Sequence, residues 1–167
     1  MPAAQAALRW IDRYGDPDGD GFVEHRAIRR RRPTHKLRNQ GWKDSGDAIS
    51  FADGRLAEGS LALAEVQGYV YDAKRKMAEL YQALGESRRA LRLEREAQRL
   101  KEQFNQAFWM PGQEYFAIAL DGEKRPVDSI SSNPGHCLWS GIADDDKAAR
   151  VIDRLMAPDM FSGWGIR

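Results

Sequence analysis

The stretch LALAEVQGYVYDAKRKMAELYQALG, residues 61–85, decides the fold class. Leu63, Val66, Val70, Ala73, Met77, Leu80 and Leu84 recur at three- and four-residue spacing. That period is helical and predicts a helix over 60–84, about seven turns long. Ser60 offers an N-cap after Gly59, and Gly85 supplies the stop. Residues 86–108 repeat the pattern with Ala90, Leu93, Ala97, Leu100, Phe104 and Ala107. Two long helices joined by one tight glycine turn lie antiparallel.

Downstream, Pro111-Gly112 breaks the second helix, and the aromatic run 115–120 alternates as a short strand. Asp121-Gly122 is a hairpin-turn signal. Residues 127–134 read as a polar loop and 135–142 as a short helix. Residues 144–156 read as a helix with an acidic first turn that suits the dipole. Its apolar positions are Ala148, Val151, Ile152 and Leu155. Upstream, Ala4, Leu8 and Ile11 mark a short amphipathic helix over 3–14, ended by Gly15. A short extended piece is expected at 22–24 and a turn or hairpin arm at 49–54. Five helices and little strand make the expected class all-α. If every second helix lines an inner ring, the polar loops before residues 60, 135 and 168 enter on one side. That is an α/α toroid with its pocket at one mouth.

The chain has 167 residues, a length that favours one domain over 1–167. Its net charge of +1 gives no global field for nucleic acid or membrane, and the basic run 29–32 reads as a solvated loop. No apolar run is long enough to span a bilayer. The start shows no secretory pattern, and a single cysteine, Cys137, excludes an internal disulfide. A reducing, cytoplasmic setting is expected.

Chemistry concentrates in Asn39-Gln40-Gly41-Trp42-Lys43-Asp44-Ser45-Gly46-Asp47. An indole face suits stacking on a pyranose, and a nearby carboxyl group can protonate a glycosidic oxygen. Trp42, Trp139 and Trp164 all stand in glycine-containing loops, where sugar stacking competes with plain core packing. Asn133 is a candidate hydroxyl contact. His136 is either a hydroxyl partner or a helix-start residue; no second His or Cys stands at ligand spacing from it. Glu65 and Gln67 lie two apart on a helix and point in different directions, with Gln67 the preferred pocket residue. Arg167 either binds substrate or pairs with a carboxylate. Asp16, Asp18 and Asp20 resemble the first half of an EF-hand loop, with Gly21 at the turn position but Ala27 where the bidentate Glu belongs. The readings are structural calcium or a metal-free loop of Asx-turns.

Five segments, in order, resemble one family: residues 13–24, 39–45, 64–73, 132–141 and 161–167. Together they are similar to the glycogen-debranching, amylo-α-1,6-glucosidase-like glycosidases. The resemblance implies a catalytic domain of (α/α)6 barrel type and inverting hydrolysis of α-glucosidic linkages. It makes the chain the central part of such a domain, a partial (α/α)6 toroid truncated at both ends, with short strand or hairpin pieces in its loops. It implies Asp44 as general acid, Asp47 as runner-up, and a general base outside this chain. Gln40, Trp42, Gln67, Asn133, His136, Trp139, Trp164 and Arg167 are the expected substrate contacts. The expected partner is an α-glucan or oligosaccharide, together with the missing barrel halves or self-association through exposed helix faces. No cofactor is required beyond the calcium considered for Asp16, Asp18 and Asp20. The alternatives are a trehalase-like or other α-glycosidase of the same barrel type, and a non-catalytic carbohydrate-binding remnant.

Overall fold

The run of four residues before Ala64 is a strand, not the first turn of a helix. In a computed structural model, which describes residues 1–26 and 39–167, Ser60–Leu63 forms strand β2 and helix α2 spans Ala64–Ala83. Leu61, Leu63 and Ala62 are all buried, on both faces of the strand. A continuous apolar run fits a buried strand as well as a helix, so spacing alone misplaced the start. Partners on both sides decide it. Strand β1 (His25–Arg26) pairs antiparallel through His25↔Leu61 and Arg26↔Ser60. Strand β5 (Ala119–Leu120) pairs on the other side through Ala62↔Leu120 and Leu63↔Ala119. The Ala64 N–H still donates sideways to Ile118 O at 3.0 Å as the helix begins. Ser60 therefore caps nothing.

Helix α3 covers Ser87–Ala107 and packs along α2 as the expected antiparallel hairpin. The turn is closed by Gly85 N–H to Gln82 O at 3.0 Å and Glu86 N–H to Tyr81 O at 2.8 Å. This paired bonding needs left-handed backbone at Gly85, whose φ is 76°, and glycine adopts it without strain. The seam differs from the expected one near this turn. Leu80 is 49 % exposed and Leu84 is 58 % exposed. Met77 is buried as expected, and Ala78 and Tyr81 join it against Ala90 and Leu93, with Leu8 beside them.

Helix α1 (Pro2–Tyr14) buries no residue fully and leans on the hairpin through Leu8 and Ile11. The expected strand over 115–120 is two pieces. Strand β4 (Tyr115–Phe116) pairs with β3 (Trp109–Met110). Two residues on, β5 turns to β2 and to β6 (Pro126–Val127) around the Asp121-Gly122 turn. A 3-10 turn (Asn133–Gly135), helix α4 (His136–Ser140) and helix α5 (Asp145–Leu155) complete the order. On α5, Val151 and Leu155 are buried while Ile152 is exposed. The described chain is thus mostly helical but not all-α, with a four-stranded sheet in the order β1-β2-β5-β6 and a two-stranded one. No described helix is long and apolar enough to cross a membrane. The basic run 29–32 lies outside the described residues.

The core is aromatic where α3 meets β4. Phe104 stacks on Phe108 with ring centroids 4.7 Å apart and lies 4.8 Å from Phe116. Phe22 meets Phe108 edge-on at 5.3 Å. Asn105 bonds α3 to the α4–α5 connector: its Nδ2 donates to Ile142 O at 2.7 Å and its Oδ1 accepts from Asp144 N–H at 2.9 Å.

Phe104→Ala should cost about 3–5 kcal/mol of unfolding free energy, because it removes transfer energy and leaves a cavity among fixed rings. Leu84→Ala should stay within about 0.5 kcal/mol. Urea unfolding of both variants checks the pair, and equal losses would return Leu84 to the seam.

Asp121 carries the hairpin turn. Burial pushes its carboxyl up, but the Arg125 guanidinium and the N–H groups of Arg125 and Glu123 outweigh that and hold it below its ordinary value. A depressed acid stabilises the fold above its unfolded pKa, and that contribution fades as pH falls below about 4. Asp121→Asn should flatten the fall in melting temperature between about pH 5 and pH 3 relative to the parent chain.

Candidate active site

The first turn of α2 carries two polar residues that the strand-to-helix switch aims in different directions. Gln67 is fully buried and its amide is engaged on both sides. Its Oε1 accepts from Val23 N–H at 2.9 Å, and its Nε2 donates to Val23 O at 2.7 Å and Leu63 O at 3.1 Å. It clasps the backbone after the Asp-rich loop and is not a pocket residue as expected. Glu65 points the other way, toward the 39–47 loop.

Glu65 is also fully buried. Its Oε1 accepts from the Trp42 N–H at 3.2 Å and from Asn133 Nδ2 at 3.0 Å. Its Oε2 is buried and has no hydrogen-bond partner among the described residues. One carboxylate therefore ties the 39–47 loop to the 131–135 segment over the start of α2. Two features let the loop lie this close. Gly41 sits directly on the floor: a Cβ there would collide with Leu63 Cδ1 and lie 2.8 Å from Glu65 Oε1. Asn39, buried, donates from Nδ2 to Ser45 O and closes the loop on itself.

Above this floor stands an exposed aromatic group. The Trp42 and His136 ring centroids are 5.0 Å apart, and Tyr69 stacks on Trp139 at 5.8 Å. His136 Nδ1 lies 3.4 Å from Trp139 Nε1 and 3.3 Å from the Tyr69 hydroxyl. An indole N–H only donates, so Nδ1 is the acceptor and the neutral ring carries its proton on Nε2. Burial, and then the Glu65 charge, push the Tyr69 phenol above its ordinary value. Trp42 is 67 % exposed and Trp139 is 61 % exposed, so neither is a core residue. Helix α4 brings His136 and Trp139 here because Gly68 admits it; a Cβ at Gly68 would lie 2.8 Å from Ser140 Oγ. Cys137, on the buried face of α4, has its thiol pushed up by burial and then by the Glu65 charge, which makes it inert at neutral pH.

The expected site residues distribute as follows. Trp42, His136 and Trp139 come together. Asn133 is fully buried and supports Glu65 rather than facing solvent. Gln40, Asp44 and Asp47 are exposed on the same loop. Trp164, on the 161–167 turn, is fully exposed, and among the described residues its ring has no aromatic neighbour. Arg167 is exposed, and its N–H donates to Met160 O at 3.0 Å. Asp16, Asp18 and Asp20 have ligand atoms within 4.8 Å of one another. The Lys124 ammonium lies against Asp18 and Asp20, however, so the residues present do not fit a metal ion beside it. Sequence reasoning missed Glu65 and Asn39 as supports and Tyr69 as a wall. The signal available was Glu65 in the first turn of a helix, beside an apolar run that could be a strand.

An exposed aromatic wall beside a carboxylate-bearing loop is a surface on which a sugar ring can stack. The chain belongs to the family of mannosylglycerate hydrolase MGH1-like glycoside hydrolase domains, whose model matches residues 2–166. It is also similar in structure to a GH78 family rhamnosidase of Bacillus sp. GL1, with a TM-score of 0.64 at 18 % identity over 94 % of this chain. The match spans 14 % of the rhamnosidase chain. No curated protein matches the chain significantly. The domain is thus a helical glycoside hydrolase domain.

Removing the Glu65 carboxylate should free the Trp42 amide. In Glu65→Ala, hydrogen exchange at that amide should accelerate about 10–100-fold, the loss expected for a bond to a charged acceptor. Glu65→Gln keeps an oxygen for it and should fall between. Unchanged exchange in the alanine variant would remove Glu65 as the loop's anchor.

Proposed function

We propose that this chain carries the acid half of an inverting glycosidase site, with Asp44 protonating the departing glycosidic oxygen. The carrying observation is the 39–47 loop, pinned by Glu65 so that Trp42 stands with His136, Tyr69 and Trp139 beside the exposed Asp44. The aromatic faces would hold a sugar ring, and its arrival would supply the water exclusion that a working acid needs.

An inverting enzyme needs a second carboxylate about 6.5–9.5 Å away to activate water. Glu65 does not suit that task. It is fully buried behind the loop, and its engaged oxygen holds backbone and amide N–H groups. As the family resemblance implies, the base belongs to a segment outside this chain, and the whole unit to a larger (α/α)6 barrel. The exposed Leu80, Leu84 and Leu91 on the helical hairpin suit contact with further barrel helices. The substrate reading is an α-glucosidic linkage of the glycogen-debranching, amylo-α-1,6-glucosidase kind. The family description supports a second reading, hydrolysis of a small glycoside such as mannosylglycerate. An isolated 167-residue chain would bind sugar without turning it over.

In the full-length protein, Asp44→Asn should lower kcat by about 10²–10⁴ on a natural glycoside, the span of a lost general acid. The loss should shrink on a glycosyl fluoride, whose leaving group needs less protonation. Equal losses on both substrates would move the acid role elsewhere. Profiling the parent enzyme on an α-1,6-branched oligosaccharide against mannosylglycerate separates the two substrate readings.

A further inference from the structure

Lys124 stands in the turn between β5 and β6, in left-handed backbone with φ 61° that a residue with a side chain rarely adopts. The turn points its side chain at the 16–24 loop, one hundred residues away in sequence. Lys124 Nζ lies 2.8 Å from Asp18 Oδ2 and 2.6 Å from Asp20 Oδ2, and it also pairs with Glu24 Oε1. An ammonium has three donors, and here each meets a different carboxylate. The Glu24 side chain is only 2 % exposed, and its second oxygen has no hydrogen-bond partner among the described residues. Burial pushes the Glu24 carboxyl up, and Lys124 opposes that push. Asp16 faces inward and accepts from Gly19 N–H at 2.7 Å, Asp20 N–H at 3.1 Å and Gly21 N–H at 2.9 Å.

We infer that the Lys124 ammonium occupies the place a divalent cation holds in a calcium loop, so the 16–24 loop is closed by a cation of the chain itself. A second cation beside Nζ would meet like-charge repulsion at contact distance. The loop becomes a divalent-cation site only when the ammonium is taken away. Three carboxylates, one of them buried, would then face each other without compensation, which is the donor set a hard cation requires. Burial lowers a lysine's pKa, but hydrogen bonds to Asp18, Asp20 and Glu24 outweigh it and keep Lys124 charged beyond the ordinary lysine range.

The test uses the whole chain, with thermal unfolding followed by circular dichroism in EDTA and in millimolar calcium chloride. The parent chain should melt at the same temperature in both buffers. Lys124→Met should melt about 5–10 °C lower in EDTA, as expected for a buried carboxylate left unpaired, and should regain most of that in calcium. Lys124→Arg keeps the charge, so it should fold and ignore calcium like the parent. The inference is overturned if calcium raises the parent's or the arginine variant's melting temperature, or if a folded Lys124→Met is indifferent to it. Should Lys124→Met fold in neither buffer, calorimetric titration of the parent chain with calcium decides: measurable binding overturns the inference, and none supports it.

Discussion

At Leu63–Ala64 the backbone leaves a sheet and enters a helix within one peptide, and most of the molecule is arranged around that step. β2 is held on both sides, by β1 and β5, so its direction is fixed before the helix starts. The helix inherits that direction, and with it the orientation of its first turn. Glu65 is sent to one side and Gln67 to the other. One gathers the Trp42 loop and Asn133; the other clasps Val23. A helix beginning at Ser60 would carry the same residues with its axis free of the sheet, and neither clasp would be specified.

The floor of the site is costly by ordinary standards. A buried carboxylate with one oxygen unpaired among the described residues loses hydration that its two hydrogen bonds return only in part. The return comes from position. Glu65 draws on a backbone N–H and an amide contributed by two different loops, so both loops are held in one arrangement. The aromatic wall above needs that order, because stacked faces are useful to a ligand only when they are held in register. The wall also depends on close packing: α4 approaches α2 at Gly68, and that approach brings His136 and Trp139 beside Tyr69.

The helical hairpin was legible in the sequence because its signal is local. Spacing placed Ala90, Leu93, Ala97, Leu100 and Phe104 in the core, and the glycine turn fell where expected. The short strands were less legible, since a two-residue strand has no period to read and exists only through its partner. The start of α2 failed for the same reason. Trp42 and Trp139 stand out in the sequence as indoles near glycines, and the fold brings both beside His136. Helical spacing gives the angle between Glu65 and Gln67 but not which of them faces the 39–47 loop, so neither clasp was legible. Lys124 could not be read at all. Its partners lie at the other end of the sheet, and nothing in its neighbourhood of the chain announces them.

The order in which β2 acquires its neighbours bears on how the chain reaches this state. The α2–α3 contacts join residues close in sequence across one tight turn, so they close with little loss of loop entropy. The sheet pairs His25 with Leu61 and Leu120 with Ala62, and the Lys124 tie spans the longest interval of all. Non-local pairing of this kind forms slowly. Contact order therefore favours the hairpin forming ahead of the sheet. A chain stalled between them would hold a formed α2 with β2 exposed on both edges, a template for pairing with another molecule. In such a chain, protection of β2 would rest on its two-residue partners finding it rather than on the helices.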